Sequence, residues 1–159
     1  MFAFISRLSN IANAIAEKIA LILVTVLTIL TMTGVIYRYV LKSPLVWLYE
    51  TTIVVFAWMV FIGASIAFKR REHIKLEFLV SSVPEKVSRV LKIIIEFITI
   101  VFLFFVIKEG FQIVKDTWAQ TYNTINLSIA WFYASFPVSA IFMEIHLIEA
   151  VVELMSNKK

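Results

Sequence analysis

The sequence predicts an all-α integral membrane protein with four transmembrane helices. Four long apolar stretches occur within 159 residues, and each ends at charged residues: 19–37, 51–68, 93–107 and 117–143. Hydrophobic residues make up 61% of the chain, and the mean hydropathy is +0.91. Because a bilayer core of about 30 Å is crossed by about 20 helical residues, the first, second and fourth stretches are long enough. The third is long enough if Glu96 or Lys108 lies near an interface.

The composition excludes several classes of function. The chain contains no cysteine, which excludes disulfides, thiolate catalysis and cysteine-ligated metals. The sequence pI is near 9.4, but the basic residues stand at the ends of the apolar stretches, where membrane topology explains them better than nucleic acid does. The first apolar stretch is too long for a signal peptide and no small-residue cleavage site follows it, so we expect it to remain as a helix.

The distribution of positive charge predicts that both termini lie in the cytoplasm. The N-terminal segment, the connection between the second and third spans, and the C-terminus together carry 11 of the 15 Lys and Arg residues. The other four lie on the opposite side: Arg38, Lys42, Lys108 and Lys115. Of the four Trp and five Tyr residues, all but Trp58 fall at the helix ends assigned to the outer face, as expected for an aromatic belt.

We predict a single membrane domain over residues 1–159. Its spans are placed at 19–41, 49–68, 88–114 and 125–148, with a cytoplasmic loop at 69–87. Residues 2–18 have apolar residues at helical spacing, so they form either an amphipathic helix in the cytoplasmic interface or the first turns of a long tilted first helix. Ser82 and Glu85 are spaced as a capping box, which predicts the start of the third helix.

The short turn between the first two spans is predicted to bring two opposite charges together. Pro44 ends the first helix at the preceding residue, and Trp47 can anchor the start of the second helix in the interface. This turn would place Arg38 near the level of Glu50, so we predict a structural ion pair at the outer face. The alternative is that each side chain reaches headgroups and water separately.

Small residues and a proline predict how the later helices pack. Gly63 and Ala67 lie four positions apart on the second span, which permits close approach by another helix. Pro137 removes a backbone hydrogen bond in the fourth span and is expected to kink it. Beyond it, His146, Glu149 and Glu153 are spaced as a polar stripe, which predicts that the last helix emerges amphipathically into the cytoplasm.

Three charged residues fall in the third predicted span: Glu96, Lys108 and Glu109. An ionisable group at membrane depth is a functional hypothesis by default, because it is costly to keep there. The structural alternative for Glu96 is a pair with Lys92, one turn earlier and near the interface. The sequence leaves both interpretations open.

The sequence contains no pattern of a catalytic or cofactor site. No Walker loop, dinucleotide fingerprint or metal-spaced cluster occurs. A membrane cytochrome would need His within its spans to ligate haem, but His73 lies in the loop and His146 lies near the inner end of the last span. We therefore predict a protein that is not an enzyme and that has no catalytic, cofactor-binding or metal-binding residue.

Several short motifs occur in an order that is typical of one family of membrane proteins. Arg38-Tyr39 ends the first helix, and Trp47-Leu48-Tyr49-Glu50 opens the second. Later motifs follow in order: Phe61-Ile62-Gly63-Ala64, the basic stretch before His73-Ile74, Val83-Pro84, and the run from Ile125 to Pro137. In this order the chain resembles the small membrane subunit of TRAP transporters, the tripartite ATP-independent periplasmic importers, known as the DctQ-like or Q component. Many members have two adjacent acids where this chain has Tyr49-Glu50, so any role of the first acid is absent here.

The resemblance implies an accessory subunit of a sodium-coupled importer of organic acids, such as dicarboxylates, sugar acids or sialic acids. It implies two protein partners, a large membrane subunit (the M component) and a periplasmic substrate-binding protein (the P component), at the bacterial inner membrane. The chain would brace the large subunit among the membrane lipids and help dock the binding protein. Arg70, Arg71 and His73 would form a cytoplasmic interface.

Two alternatives come from other classes of protein. The first is a self-contained homo-oligomeric channel or exporter, whose path would be lined by Glu96 or by Lys108 and Glu109. The second is a redox membrane anchor. The importer subunit predicts a bound larger membrane protein, whereas the channel predicts homo-oligomers.

Overall fold

Four long helices make up the described part of the chain. The computed structural model describes residues 2–70 and 84–156. The helices are α1 (Phe2–Val35, continued by a π-helical turn at Ile36–Val40), α2 (Val46–Lys69), α3 (Glu85–Asp116) and α4 (Ala130–Ser156). Each of the four contains a segment that is long and apolar enough to cross a membrane. The predicted all-α membrane fold is therefore confirmed.

Helix α1 extends well beyond the span predicted within it. Its 34 residues form one continuous helix of about 50 Å, so residues 2–18 lead directly into the first span. Thr25, Thr28 and Thr31 donate their hydroxyls to backbone carbonyls four residues earlier, at 2.8–2.9 Å. These bonds satisfy the polar side chains inside an otherwise apolar helix.

A tight connection joins α1 to α2. The amide of Leu41 donates to the carbonyl of Ile36 at 3.1 Å, and the amide of Ser43 donates to the carbonyl of Tyr37 at 3.0 Å. Lys42 has a φ of 51°, in the left-handed region that side chains other than glycine enter mainly at sharp turns. Because the connection is this short, α1 and α2 lie side by side and antiparallel.

Helix α4 occupies the centre of the bundle and contacts α1, α2 and α3. The main core cluster joins α3 to α4: Leu103, Ala140, Met143 and Leu147. Ala64 and Phe68 of α2 pack against the same cluster. Many apolar side chains of α1 and α3 point outward instead, with Leu21 70% and Phe97 64% exposed. Such surfaces suit contact with lipid or with another membrane protein.

Close helix approach occurs at glycines other than the predicted Gly63: an added Cβ on Gly34 of α1 would lie 2.7 Å from Cδ2 of Leu48 in α2. A Cβ on Gly110 of α3 would lie 2.9 Å from the Cβ of Pro137, which is fully buried in α4. Glycine therefore lets these two helices approach closely. At Gly63, an added Cβ would meet no described atom within 4 Å. At Gly63, the predicted packing face of Gly63 and Ala67 thus receives no close helix from the described residues.

The connection between α3 and α4 shifts the start of the fourth span. Helix α4 begins at Ala130, later than the predicted start at residue 125. The preceding chain folds back on itself, and the amide of Tyr122 donates to the carbonyl of Leu127 at 3.0 Å. The backbone groups of this connection hydrogen-bond one another outside a helix, although the absence of charged residues made the connection resemble part of a span.

The helix bundle has two distinct ends. The loop face is the end formed by the connections 41–45 and 117–129. The terminal face is the opposite end, formed by the first turns of α1, the last turn of α2 and the last turns of α4. The predicted helix-capping residue Ser82 lies outside the described residues.

Candidate functional site

The carboxylate of Glu50, in the first turns of α2, holds the connection between α3 and α4. Its Oε2 accepts hydrogen bonds from the amides of Thr124 at 2.9 Å and Ile125 at 3.2 Å, and a short one from the Thr124 hydroxyl. Its Oε1 accepts one from the amide of Asn123 at 3.3 Å. Three successive backbone amides thus donate to one carboxylate, and hydrogen bonds to an ionised group are the stronger kind. Glu50 fastens this connection to α2.

The predicted ion pair between Arg38 and Glu50 is wrong. Within residues 2–70 and 84–156, no carboxylate lies within 4.0 Å of the Arg38 guanidinium. The guanidinium lies over the ring of Tyr39 instead, 5.6 Å from the ring centroid, in a cation–π contact. The physical reason is that backbone amides of the facing connection already occupy the Glu50 carboxylate.

A groove of about 770 Å³ lies between the end of α1 and the start of α2. Both Arg38 and Glu50 line it, although they do not pair. Apolar and aromatic side chains form much of the remaining wall: Val35, Tyr39, Leu45, Val46, Leu48 and Tyr49. The groove therefore combines one cation, one anion and an apolar wall at the loop face.

Two tryptophans stand near the loop face in different environments. The indole of Trp58 donates to the carbonyl of Trp131 at 2.9 Å, joining α2 to the first turn of α4. Trp47 is 43% exposed in the first turn of α2, where an indole can sit among headgroups. In the nearby connection, burial first and the charge of Glu50 second raise the pKa of Tyr122 above its ordinary 10.0.

A second polar cluster ties three helices together at the terminal face. The Ser9 hydroxyl of α1 hydrogen-bonds Nδ1 of His146 in α4 at 2.7 Å. Lys69, the last residue of α2, donates to the Ser9 hydroxyl at 3.1 Å and forms an ion pair with Glu149 of α4 at 2.5 Å. Because an ammonium group only donates, the Ser9 oxygen accepts the hydrogen bond from Lys69.

The sequence predicted that the polar stripe of α4 emerges from the bundle. In the structure, His146 and Glu149 of this stripe lie inside the bundle instead. His146 is 3% exposed, and the Glu149 side chain is 13% exposed. The physical reason is that α1 continues to Phe2 and packs against this end of α4. The spacing of His146 and Glu149 places them on one helix face, but it could not reveal that Ser9 would meet them there.

Of the predicted cytoplasmic interface, Arg70 alone belongs to the described residues. Its guanidinium lies 3.5 Å from the carboxylate of Glu17 in α1, with side-chain exposures of 59% and 47%. An exposed ion pair of this kind contributes about 0–1 kcal/mol. Arg71 and His73 lie outside the described residues, so this interface stays a prediction.

The three charges of the third span lie in two different environments. Glu96 is 4% exposed, inside the bundle, and the pair with Lys92, one of the two interpretations that the sequence left open, is not among the ion pairs between described residues. Lys108 and Glu109 pair with each other at 3.6 Å, with side-chain exposures of 68% and 65%. This second pair therefore lies on the outside of the bundle.

Both polar clusters connect helices that are distant in the sequence. The loop-face cluster joins α2 to the connection before α4, and the terminal-face cluster joins α1, α2 and α4. Within the described ranges, no group of three or more His, Cys, Asp or Glu residues could hold a metal ion. In chemical terms, the fixed hydrogen bonds of the clusters can orient helices and connections.

Comparison with known proteins reveals relatives along most of the chain. Residues 27–157 match the family described as tripartite ATP-independent periplasmic transporters, DctQ component. Over 151 residues the chain is 28% identical to the sialic acid TRAP transporter small permease protein SiaQ of Vibrio cholerae, an alignment that covers 95% of this chain and 87% of that protein. Over 87 residues it is 32% identical to the C4-dicarboxylate TRAP transporter small permease protein DctQ of the same species, covering 55% of this chain and 38% of that protein.

A longer relative matches over a smaller share of its own length. The chain is 28% identical over 116 residues to the sialic acid TRAP transporter permease protein SiaT of Haemophilus influenzae. This alignment covers 73% of the chain and 19% of that protein. The chain therefore spans most of SiaQ and less than two fifths of the other two relatives.

Proposed function

Because the chain belongs to the DctQ component family of the tripartite ATP-independent periplasmic (TRAP) transporters, we propose that it braces a large transport subunit in the bilayer. The family match along residues 27–157 carries this proposal. The chain is a TRAP small permease subunit, and members of this family are transporter subunits rather than enzymes. Four apolar helices make it a multi-pass membrane protein.

In the complete importer, the chain works with a large membrane subunit and a periplasmic substrate-binding protein at the bacterial inner membrane. Two relatives are named for sialic acid and for C4-dicarboxylates. Both are organic acids, which supports an organic acid as the imported solute, with its entry coupled to sodium. The distribution of Lys and Arg supports cytoplasmic termini, and the loop face then lies on the periplasmic side, where it helps dock the binding protein.

The packing of the described residues supports a brace rather than a moving part. Side chains fill the interface of α3 and α4, where Leu103 and Leu147 are 4% and 3% exposed. Polar contacts join elements at both ends of the bundle. Glu50 bonds the connection before α4 at the loop face, and Lys69 pairs with Glu149 at the terminal face. A bundle fastened at both ends offers a rigid surface to a partner.

We place the contact with the large subunit on the face of α2 that carries Gly63 and Ala67. Apart from its chain neighbours and the backbone of its own helix, no described atom lies within 4 Å of the position of a Gly63 Cβ. Phe56 and Val60, on the same helix face, are 53% and 41% exposed. Small residues four positions apart let a partner helix approach, and the apolar neighbours add dispersion contacts.

Affinity purification of the chain from its native membrane in mild detergent tests this proposal. We expect a large membrane protein to remain bound in stoichiometric amount. Gly63→Leu should weaken this retention, because the leucine would separate the two helices. Ala14→Leu is the matched control, since Ala14 is exposed on α1, and it should retain the partner. A homo-oligomer without a partner would contradict the proposal and favour a self-contained channel.

Sodium coupling is tested separately on the purified complex. Uptake of organic acids into proteoliposomes should require the binding protein and an inward sodium gradient. Uptake of equal rate after the sodium gradient is replaced by potassium would contradict the coupling, and it would leave the accessory role of this chain intact.

A further inference from the structure

The groove between α1 and α2 holds two opposite charges that do not neutralise each other directly. Arg38 and Glu50 both line it, yet their charged groups lie more than 4.0 Å apart. We propose that this groove binds one phospholipid with a primary amine in its headgroup. Its phosphate lies against Arg38 and its ammonium group against Glu50, so the zwitterion completes the pair that the two side chains do not form.

Arg38 supplies the phosphate-binding half of the site. It is the first charged residue after the apolar stretch of α1, and it is exposed. A guanidinium presents its N–H donors in a planar fork that matches phosphate oxygens. The contact with the Tyr39 ring occupies a face of the guanidinium, which leaves the in-plane N–H groups available for phosphate.

Glu50 supplies the amine-binding half. Its Oε2 accepts three hydrogen bonds, whereas Oε1 accepts a single one, at 3.3 Å from the amide of Asn123. A carboxylate oxygen has about two acceptor sites, so Oε1 retains room for a donor. A primary ammonium can donate there, but a quaternary ammonium has no N–H to donate. The geometry therefore selects among headgroups.

The walls below the two charges suit an acyl chain. Thr31, Gly34 and Val35 line the groove on α1, and the distance along the helix from Thr31 to Arg38 is about 10 Å. The Thr31 hydroxyl donates to its own helix at 2.9 Å, so it adds no unsatisfied donor to the wall. Leu48 faces them from α2.

Aromatic side chains mark the level of the headgroup. Tyr39 and Tyr49 both line the groove and are 68% and 72% exposed. Amphipathic rings of this kind sit where headgroups meet hydrocarbon. The charges therefore stand at headgroup level, and the apolar wall extends from them along α1.

Native mass spectrometry of the full chain, purified in mild detergent and titrated with defined lipids, tests the site. The lipids are phosphatidylethanolamine, phosphatidylcholine and phosphatidylglycerol with identical acyl chains. We expect one lipid per chain, with phosphatidylethanolamine bound most tightly. Arg38→Gln should weaken its binding by about tenfold or more, as expected for the loss of a charge-assisted contact. Lys115→Gln removes an exposed cation near the same face outside the groove and should have no effect.

Two further variants separate the roles of charge and space. Glu50→Gln should abolish the preference for phosphatidylethanolamine over phosphatidylcholine. Because Glu50 also holds a connection, Val35→Trp provides a second variant that fills the groove and leaves both charges in place. It should lower binding of all three lipids while the helical circular dichroism stays unchanged.

Several results would overturn the lipid site. One is an Arg38→Gln variant that binds phosphatidylethanolamine as tightly as the unchanged chain does. Another is a chain that binds phosphatidylglycerol or phosphatidylcholine as tightly as phosphatidylethanolamine. A photoreactive residue at position 35 that cross-links to another protein in native membranes, and not to lipid, would assign the groove to a protein partner. These measurements on the chain alone do not depend on its role as a brace.

Discussion

Replacing Gly110 by alanine tests whether the contact of α3 with α4 controls the stability of the bundle. The new Cβ would lie 2.9 Å from Cβ, 3.1 Å from Cγ and 3.2 Å from Cδ of Pro137. These atoms belong to a rigid ring that is fully buried, so no flexible side chain can move aside. The two helices must separate, and the neighbouring core at Leu103 and Ala140 must loosen with them.

The expected magnitude follows from two opposing terms. Overpacking a well-packed core lowers the free energy of unfolding by about 1–3 kcal/mol. Replacing glycine by alanine within a helix raises it by about 0.8–1 kcal/mol, because alanine has the higher helix propensity. Gly63→Ala is the matched control, because the same gain in helix propensity applies there. Apart from its chain neighbours and the backbone of its own helix, the added Cβ meets no described atom within 4 Å. Gly110→Ala should therefore be less stable than Gly63→Ala by about 1–3 kcal/mol.

Equilibrium unfolding in mixed micelles, with increasing fractions of sodium dodecyl sulfate, measures this difference. Far-ultraviolet circular dichroism and Trp fluorescence should report the same order of stability. If Gly110→Ala proved as stable as Gly63→Ala, the close approach at Pro137 would not limit the packing of α3 on α4, and the reasoning would fail.

Three other perturbations have defined outcomes. Glu50→Gln should speed amide hydrogen exchange at residues 123–125, because a neutral amide oxygen is a weaker acceptor than a carboxylate; unchanged exchange would show that these amides do not depend on the charge. Lys69→Met should lower the free energy of unfolding by about 1–3 kcal/mol, because it leaves the largely buried Glu149 carboxylate without its cation. Adding Glu149→Gln should restore part of the loss, and a strictly additive double mutant would argue against the pair. Because the pKa of Tyr122 is raised above 10.0 in the folded chain, its neutral form stabilises the fold below pH 10, and this contribution is lost as the pH rises through the raised pKa. Spectrophotometric titration should show that Tyr122→Phe removes a tyrosine that ionises above pH 10.0 in the folded protein, and an unchanged titration curve would contradict the assignment.

Local properties of the sequence were enough to predict the membrane fold. Whether a helix can cross a bilayer depends on the length and hydropathy of one continuous segment, so four spans were visible without knowledge of their neighbours. The order of motifs from Arg38-Tyr39 to Pro137 also predicted the family, which the match over residues 27–157 confirms. The ends of the helices were predicted less closely than their number: α4 begins at Ala130, five residues after the predicted start at residue 125.

The partners of Glu50, His146 and Glu149 were decided by the tertiary structure. Glu50 could reach Arg38 through a short turn, and the sequence offered no sign that backbone amides at 123–125 would occupy its carboxylate. Likewise, the spacing of His146 and Glu149 showed a shared helix face but not the helix that would cover it. Contacts of this kind join residues more than 60 positions apart.

The same distinction applies to the glycines. Gly63 lies in a small-residue pattern that often packs in membranes, yet among the described residues Gly34 and Gly110 are the glycines that meet a neighbouring helix. Hydropathy and helical period determine which segments enter the membrane, because these depend on residues close in sequence. The rotation of each helix about its axis depends on all of its neighbours at once. Only the assembled bundle therefore decides which side chains meet.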